Sequence, residues 1–444
     1  MKRTILLLLL AIWTAGVRAN PPSAFAIRGA RVVTVSGAVL ERGTVLIRDG
    51  LIQEVGAKVD VPADAWVIEG EGLTVYPGLI DALGTLGIPE AAPPEAPAGG
   101  SRRSAPATPA PVTTPSAAPA RGPEDRPSNT SWLRAADLIS PTDRRIESAR
   151  NAGFTAAVTF PSRGIFAGQG AIIELAGEKA GQMVVSSPAG MYLTLTTGGF
   201  SSYPGSLMGV MAYIRQVYLD AAYYKLAKEQ YARQPAGTKR PAYDRALEGV
   251  LEAPRILLPA VRAVEIERML KFSAELKTPT VLYGGHEAYR ETELLRKTGT
   301  PLLVSLKWPE RGKEEDPDRV DSLRTLELRD RAPSTPAALA KAGCRFAFYT
   351  GGVAGRDLLK AMKKALDAGL SRADAVRAFT LSPAEIYGVA DRLGSIEKGK
   401  IANLVVTDGE LFQEKTKVKY IFVDGAKYEP TPEPPAAEEK EATQ

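Results

Sequence analysis

The order of strand-like and helical segments along the chain constrains its fold more than any other feature. Short strand-like segments separated by turn residues fill residues 20–75, as in IRGARVVTV and GTVLIRDGLIQEVG, and the same style returns over residues 391–428. Between them, over residues 76–390, apolar runs such as FTAAVTF, RILLPAV and TPTVLYGG alternate with helical segments. This alternation predicts an α/β fold, a TIM-like (β/α) barrel, because so many strand-helix units favour a closed barrel over an open sheet. The flanking segments predict one small β-sandwich module built from N- and C-terminal strands.

Three segments depart from this pattern. Residues 1–19 combine Lys2 and Arg3 with an apolar run and small residues before the end, which is typical of a bacterial export signal. We therefore expect a periplasmic or secreted protein. Residues 90–126 are rich in Ala and Pro, residues 429–444 are polar and Pro-rich, and both lack the large apolar residues of a core. They are expected to form a disordered insertion and a disordered tail.

Charge and residue counts exclude several classes of protein. The 444 residues carry 56 Lys+Arg against 51 Asp+Glu, a net charge of +5 whose two signs are interleaved, so nucleic acid is not an expected partner. No stretch of the mature chain reaches the roughly 20 apolar residues of a membrane span. One His and one Cys exclude a multi-histidine metal site and a disulfide within the chain. Cys344, in AGCRFAFY, is expected to be a buried packing thiol.

Several motifs together resemble one enzyme family. They are YPGLIDALGTLG at residues 76–87, GSIEKGKIANLVVTDG at residues 394–409, VKYIFVDG, and AGFTAAVTFPSRGIFAGQGAIIELAG. The chain is similar in these motifs to the amidohydrolase superfamily, specifically its imidazolonepropionase-like branch. The resemblance implies hydrolysis of non-peptide C–N bonds by a water bound to one or two metal ions at the carboxyl-end mouth of the barrel.

The positions that the resemblance assigns to metal ligands hold other residues here. It implies His where this chain has Leu83 and Thr85, another His at Pro259, and an aspartate at Gly351. Leu, Pro and Gly side chains offer no lone pair, and a neutral Thr hydroxyl is a poor substitute for imidazole. The sequence therefore predicts that the metal site is lost and that no cofactor is bound.

Three side chains remain as weak catalytic candidates. His286 and Glu287 lie in YGGHEAYR at the end of the sixth predicted barrel strand, and Asp81 precedes the lost ligands. They could be what remains of a polar acid/base pocket, since an unperturbed His titrates near pH 6.5. We favour structural roles: a hydrogen-bonded loop histidine, a helix-starting glutamate and an aspartate that caps backbone amides. A Met- and Tyr-rich helical segment over residues 208–231 could line a ligand cleft, although core packing is the more usual role.

Two functional hypotheses follow. The first is an exported amidohydrolase-family protein without a metal site, which binds a small-molecule ligand or serves as the non-catalytic partner of an intact amidohydrolase paralogue. Such a protein could also form an oligomer. The alternative is an active hydrolase that acts on C–N bonds through a metal-free site containing His286, Glu287 and Thr350.

Overall fold

A computed structural model describes residues 24–89, 126–197, 203–312, 318 and 320–431. The predicted export signal, nearly all of the predicted insertion and the chain beyond Thr431 lie outside these ranges, so the expectations about them stay predictions. Within the described ranges, no helix has the length and apolar character needed to cross a membrane.

Both ends of the chain contribute to one β-rich sheet. Its strands are β1 (Ala24–Val32), β2 (Leu40–Arg48), β3 (Leu51–Gly56), β4 (Trp66–Glu69), β5 (Thr74–Pro77), β16 (Leu404–Thr407), β17 (Val418–Val423) and β18 (Ala426–Tyr428). The order is β18-β17-β16-β5-β1-β2-β3, with β4 paired to β1. The junction between the two ends is the antiparallel pair of β5 and β16, where Thr74 lies opposite Thr407 and Pro77 lies opposite Leu404. Apolar residues on these strands, including Ile27, Val45 and Phe422, form a core of their own.

The remaining strands form two further sheets. They are β6 (Leu79–Gly84), β7 (Phe154–Thr159), β8 (Phe166–Gln169), β9 (Ala171–Glu174), β10 (Val184–Ser186), β11 (Met191–Leu193), β12 (Ile256–Ala260), β13 (Thr280–Gly284), β14 (Leu302–Ser305) and β15 (Phe346–Tyr349). One sheet has the order β10-β9-β7-β6 and the other β15-β14-β13-β12-β11-β8. Strands β6 and β7 are parallel, and so are β11 to β15.

Helices follow most of the parallel strands, as the sequence pattern predicts. They are α1 (Arg144–Asn151), α2 (Ala180–Met183), α3 (Leu207–Arg233), α4 (Arg245–Glu252), α5 (Ala263–Leu276), α6 (Thr292–Thr298), α7 (Leu323–Arg331), α8 (Thr335–Lys341), α9 (Gly355–Asp367), α10 (Arg372–Phe379) and α11 (Leu381–Tyr387). Short 3-10 turns lie at Ala135–Leu138, Ala288–Arg290 and Ala332–Ser334.

Gly170 joins the two sheets by bending a single stretch of chain. The half before it, β8, pairs antiparallel with β11, and the half after it, β9, pairs antiparallel with β7. At the bend, the Gly170 N–H donates to the Gly190 carbonyl at 2.9 Å, and the Ala189 N–H donates to the Gly170 carbonyl at 2.8 Å. A Cβ at Gly170 would lie 2.3 Å from the Phe160 ring, so only glycine fits at this position.

The predicted closed barrel needs a correction at one seam. Across the described chain, no strand ladder joins β15 to β6, although the two strands pack against each other. The side chain of Asp81, on β6, accepts the backbone N–H of Thr350, just after β15, at 3.0 Å. A side chain therefore occupies the place of a ladder hydrogen bond, which strand periodicity does not reveal.

Alternation along the parallel strands sets which residues face the interior of the barrel. In β12, Leu257 belongs to the inner apolar cluster, while its neighbours Ile256 and Leu258 belong to the cluster beneath the helices. Val281 of β13 and Ala347 of β15 occupy equivalent inner positions. Since side chains alternate with a period of two, the next inward position on each strand lies at its carboxyl end.

Candidate binding site at the barrel mouth

A cavity of about 460 Å³ opens at the carboxyl ends of the parallel strands. Its walls come from the ends of β6, β11, β13 and β15 and from the segments that follow β6 and β7. Helix α1, the first residue of β7, and the first residue of α9 with the loop before it complete the lining. The lining residues used below are Asp81, Leu83, Thr85, Arg145, Phe160, Tyr192, Tyr283, Tyr349, Thr350 and Gly351. This mouth is where barrel enzymes place their active sites.

Three tyrosines form much of the wall. Tyr283 and Tyr349 lie two residues beyond the inner positions Val281 and Ala347, and Tyr192 lies on β11. The Tyr192 and Tyr283 rings have centroids 5.2 Å apart. Burial raises the pKa of all three phenols, that of Tyr349 to about 12, so they are neutral at ordinary pH. These tyrosines were not among the predicted site residues, although the period-two pattern of β13 and β15 indicates that Tyr283 and Tyr349 face inward.

Asp81 lies in the pocket wall and is only 2% exposed. Its Oδ1 accepts the Thr350 N–H at 3.0 Å, and its Oδ2 accepts the Thr350 hydroxyl at 2.7 Å. Burial raises the pKa of the carboxyl to about 6, and the bonds from Thr350 limit that rise. Asp81 thus caps a backbone amide, as the structural hypothesis expects, and it also faces the cavity.

The positions that the resemblance assigns to metal ligands largely surround this cavity. Leu83, Thr85 and Gly351 line it, whereas the described lining does not include Pro259, which lies within β12. The Thr85 hydroxyl oxygen accepts an N–H of Arg145 at 3.1 Å. No group of three or more His, Cys, Asp or Glu able to hold a metal ion occurs in the described part of the chain. With one carboxylate whose oxygens both accept hydrogen bonds, this donor set does not fit the metal centre that the resemblance implies.

The backbone conformation at Gly351 also disfavours an aspartate. Its φ is +62°, and a Cβ there would lie 2.6 Å from the Ser305 hydroxyl oxygen. Gly351→Asp, which restores the residue type implied by the resemblance, is expected to destabilise the fold by about 2 kcal/mol, since left-handed backbone and crowding each cost of the order of 1–3 kcal/mol. Gly352→Asp is the matched control, because Gly352 has a φ of +87° but no atom within 4 Å of a Cβ. Urea unfolding that gives equal stability for the two variants would contradict this account.

His286 and Glu287 do not belong to the described lining of the cavity. The His286 ring nitrogen Nε2 lies 3.3 Å from the Ser305 carbonyl oxygen, and burial lowers the pKa of the ring. A Glu287 carboxylate oxygen accepts the N–H of Ala263, the first residue of α5, at 3.0 Å. Both contacts are of the structural kind that the sequence analysis favoured, and neither side chain is placed beside Asp81.

Arg145 brings a positive charge to the wall, together with its own counterion. The guanidinium donates to Asp143 at 2.8 Å and to the carbonyls of Thr85 and Ile88 at 3.0 and 2.6 Å. Burial alone would raise the pKa of Asp143, but its hydrogen bonds from Arg145 outweigh that effect and lower the pKa. The Arg145 side of the cavity is therefore electrically balanced.

Two other sequence candidates lie away from the cavity. In α3, Tyr213 and Tyr224 are buried, whereas Met208 and Tyr223 are 84% and 75% exposed, and no residue of 208–231 belongs to the described lining. Cys344 is partly buried, its thiol donates to the Thr292 carbonyl at 3.3 Å, and burial raises its pKa.

Comparisons with known proteins agree with the resemblance found in the sequence motifs. The model of the amidohydrolase family matches residues 264–428. An amidohydrolase from Thermotoga maritima MSB8 is 24% identical, with a TM-score of 0.72 over 91% of this chain and 99% of that one. A putative prolidase from Bifidobacterium longum is 15% identical, with a TM-score of 0.53 over 94% of this chain and 97% of that one. A molinate hydrolase is 15% identical, with a TM-score of 0.51 over 92% of this chain and 95% of that one. No curated protein sequence matches the chain. The resemblance to the amidohydrolase superfamily is confirmed, and its fold implies a TIM barrel with a β-rich module.

Proposed function

We propose that this chain, which has the amidohydrolase fold, binds a small molecule at the barrel mouth and does not catalyse metal-dependent hydrolysis. The observation that carries the proposal is the wall of the cavity. Leu83, Thr85 and Gly351 stand at the positions where the resemblance implies metal ligands, while a cavity of about 460 Å³ persists around them. Export to the periplasm or exterior is part of the proposal and rests on residues 1–19 alone.

The physical reason is the demand that hydrolysis makes on the site. In a metal-dependent hydrolase the ion lowers the pKa of its bound water to about 7 and polarises the scissile carbonyl. Here the described lining offers one carboxylate, neutral hydroxyls and the Arg145 guanidinium, which already donates to Asp143 and to two carbonyls, and these groups supply neither effect to a bound amide. The concave wall does not depend on a metal, because its aromatic side chains are held by strand packing, and concave apolar walls are what small-molecule sites have in common.

The alternative function, a metal-free hydrolase of C–N bonds, has one observation in its favour. A carboxyl with a pKa of about 6, as at Asp81, is suited to general-base work near neutral pH. Against it, both oxygens of Asp81 accept hydrogen bonds from Thr350, and His286 and Glu287 make their contacts elsewhere.

Thermal-shift screening of the purified chain tests the proposal. Hydantoins, dihydropyrimidines, N-acyl amino acids and dipeptides are the probes, and at least one class is expected to stabilise the fold, by about 2.7 kcal/mol at 100 times its Kd. Mass spectrometry of each incubation, with added zinc and with chelator, is expected to find no product. Zinc-dependent hydrolysis would contradict the proposal. Hydrolysis that persists in chelator and disappears in Asp81→Asn would instead establish the alternative.

A further inference from the structure

We infer that the barrel-mouth cavity selects small organic cations, with a quaternary ammonium group as the best-fitting head. This inference rests on the proposed binding function and names the chemical class of its ligand. It follows from the aromatic rings of the wall, from the carboxylate of Asp81 and from the contacts that already engage the guanidinium of Arg145.

Five aromatic side chains line the cavity, Phe154 at the start of β7 and four others. Phe160 follows β7, and Tyr192, Tyr283 and Tyr349 lie on β11, β13 and β15. The Phe160 and Tyr192 centroids are 5.7 Å apart, and those of Tyr192 and Tyr283 are 5.2 Å apart, so three of the rings form one continuous group. Groups of this kind bind quaternary ammonium ions because the ring faces carry partial negative charge and attract a cation that lies within about 6 Å of the ring centroid.

The charge at the cavity favours a cation as well. Asp81 and Arg145 are the charged side chains of the described lining, and the guanidinium of Arg145 already donates to Asp143 and to two carbonyls. The phenols are neutral. The carboxylate of Asp81 is therefore the charge that a ligand in this cavity meets without a counterion, and in a partly dehydrated site its attraction for a cation exceeds that at the surface.

The hydroxyl of Tyr283 adds an orientation that suits a cation. It donates its proton to the Leu193 carbonyl at 3.0 Å, which commits the proton to the backbone, so this hydroxyl offers no proton to a ligand, and it also contacts the Tyr192 hydroxyl. An anion in the same cavity would meet the carboxylate of Asp81 and electron-rich rings. A neutral apolar ligand would gain only burial. The wall thus discriminates by charge among ligands of equal shape.

Choline and 3,3-dimethyl-1-butanol provide a direct test, because they have the same shape and differ in the charge of the head group. Isothermal titration of the intact chain at pH 8 is expected to give at least tenfold tighter binding of choline, equal to about 1.4 kcal/mol. Equal affinities, tighter binding of the alcohol, or failure of choline to bind would each overturn the inference. If other probes still stabilise the fold in those cases, the proposed binding function stands. If metal-dependent turnover appears, the proposed function fails independently of the choline result.

Substitutions at one ring separate the cation contact from simple packing. Tyr192→Leu is expected to weaken choline about tenfold and the alcohol little, whereas Tyr192→Phe, which keeps the ring, retains choline binding. Tyr223→Leu is the matched control, because Tyr223 is 75% exposed on α3 and away from the cavity. Asp81→Asn is expected to weaken choline while keeping an acceptor for the Thr350 N–H. Equal loss of both ligands in Tyr192→Leu would show that the ring only packs, and the inference would fall.

Discussion

Replacing Glu174 with Gln is expected to stabilise the fold by about 3 kcal/mol at pH 7, because pH 7 lies about 2.5 units above the ordinary pKa of 4.5 and each unit contributes about 1.36 kcal/mol. Glu174 ends β9, is 4% exposed, and accepts a hydrogen bond from the Asn403 amide at 3.3 Å. Burial raises the pKa of its carboxyl to about 8, and the nearby charge of Asp424 adds to the rise. The side chain lies where the α/β part meets the β-rich sheet. Gln keeps the acceptor and is neutral at every pH, so it avoids the proton uptake that the buried carboxyl requires on folding at pH 7.

The sign of the pH dependence follows from the direction of this shift. Because the folded-state pKa of Glu174 lies above its ordinary value of 4.5, the folded chain binds more protons than the unfolded chain between about pH 4.5 and pH 8. Stability therefore falls as the pH rises through this window. Between pH 6.5 and pH 8 the effect belongs mainly to Glu174, since the Asp81 carboxyl, with a pKa of about 6, is already largely ionised there.

Urea unfolding at pH 6.5, 7.2 and 8 measures this effect. The original chain is expected to lose stability across the series, and Glu174→Gln is expected to flatten the slope. Glu178→Gln is the matched control, because Glu178 is exposed a few residues further along the chain and should leave stability unchanged. A variant less stable than the original chain at pH 8 would show that the carboxylate is stabilised by a contact not recognised here.

Gly249→Ala is expected to destabilise the fold by about 3 kcal/mol, within the range for overpacking against an immobile neighbour. Gly249 lies in α4, and a Cβ there would stand 2.5 Å from the carbonyl carbon and oxygen of Ser131 and 2.6 Å from the Trp132 nitrogen. These are backbone atoms, and the contact is further fixed because the Ser131 hydroxyl donates to the Ala246 carbonyl at 2.6 Å. The helix would have to move away from the chain that it covers.

Gly181→Ala supplies the control for that experiment. Gly181 also lies in a helix, α2, but a Cβ there meets no atom within 4 Å. Alanine is expected to leave the stability of the chain unchanged or to raise it by up to about 1 kcal/mol, because it restricts the unfolded chain more than glycine does. Thermal unfolding of the two variants side by side distinguishes the contact from the general effect of removing a glycine.

The sequence predicted the order of elements well because periodicity is a local property. The alternation of strands and helices, and strand-like segments at both ends, can be recognised from runs of ten residues or fewer. The missing ladder between β15 and β6 could not be recognised in this way, since it depends on Asp81 reaching Thr350, 269 residues later in the chain. A bond between residues so distant leaves no periodic trace.

Only those parts of the candidate site that lie in local sequence motifs were predicted. Leu83, Thr85 and Gly351 were recognised through the family motifs in which they lie, and they line the cavity. Tyr283 and Tyr349 adjoin such segments, in YGGHEAYR and before Thr350 and Gly351, but the family motifs assign them no role. Only their phase relative to Val281 and Ala347 marks these two tyrosines as inward-facing. Whether His286 faced the mouth depended on the path of the chain beyond β13, where Gly284 and Gly285 both have positive φ. Two glycines in succession permit several paths, so the sequence alone does not choose among them.

The pairing of β5 with β16 has a consequence for the synthesis of the chain. Thr74 and Thr407, which face each other in that pair, are 333 residues apart. At 5–20 residues per second, β5 is complete roughly 20–70 s before its partner exists. During this time β5 presents an unpaired strand edge, the kind of surface that templates aggregation. The β-rich sheet is therefore completed only when the C-terminal strands arrive, although the strands β1 to β5 that pair with one another are made first.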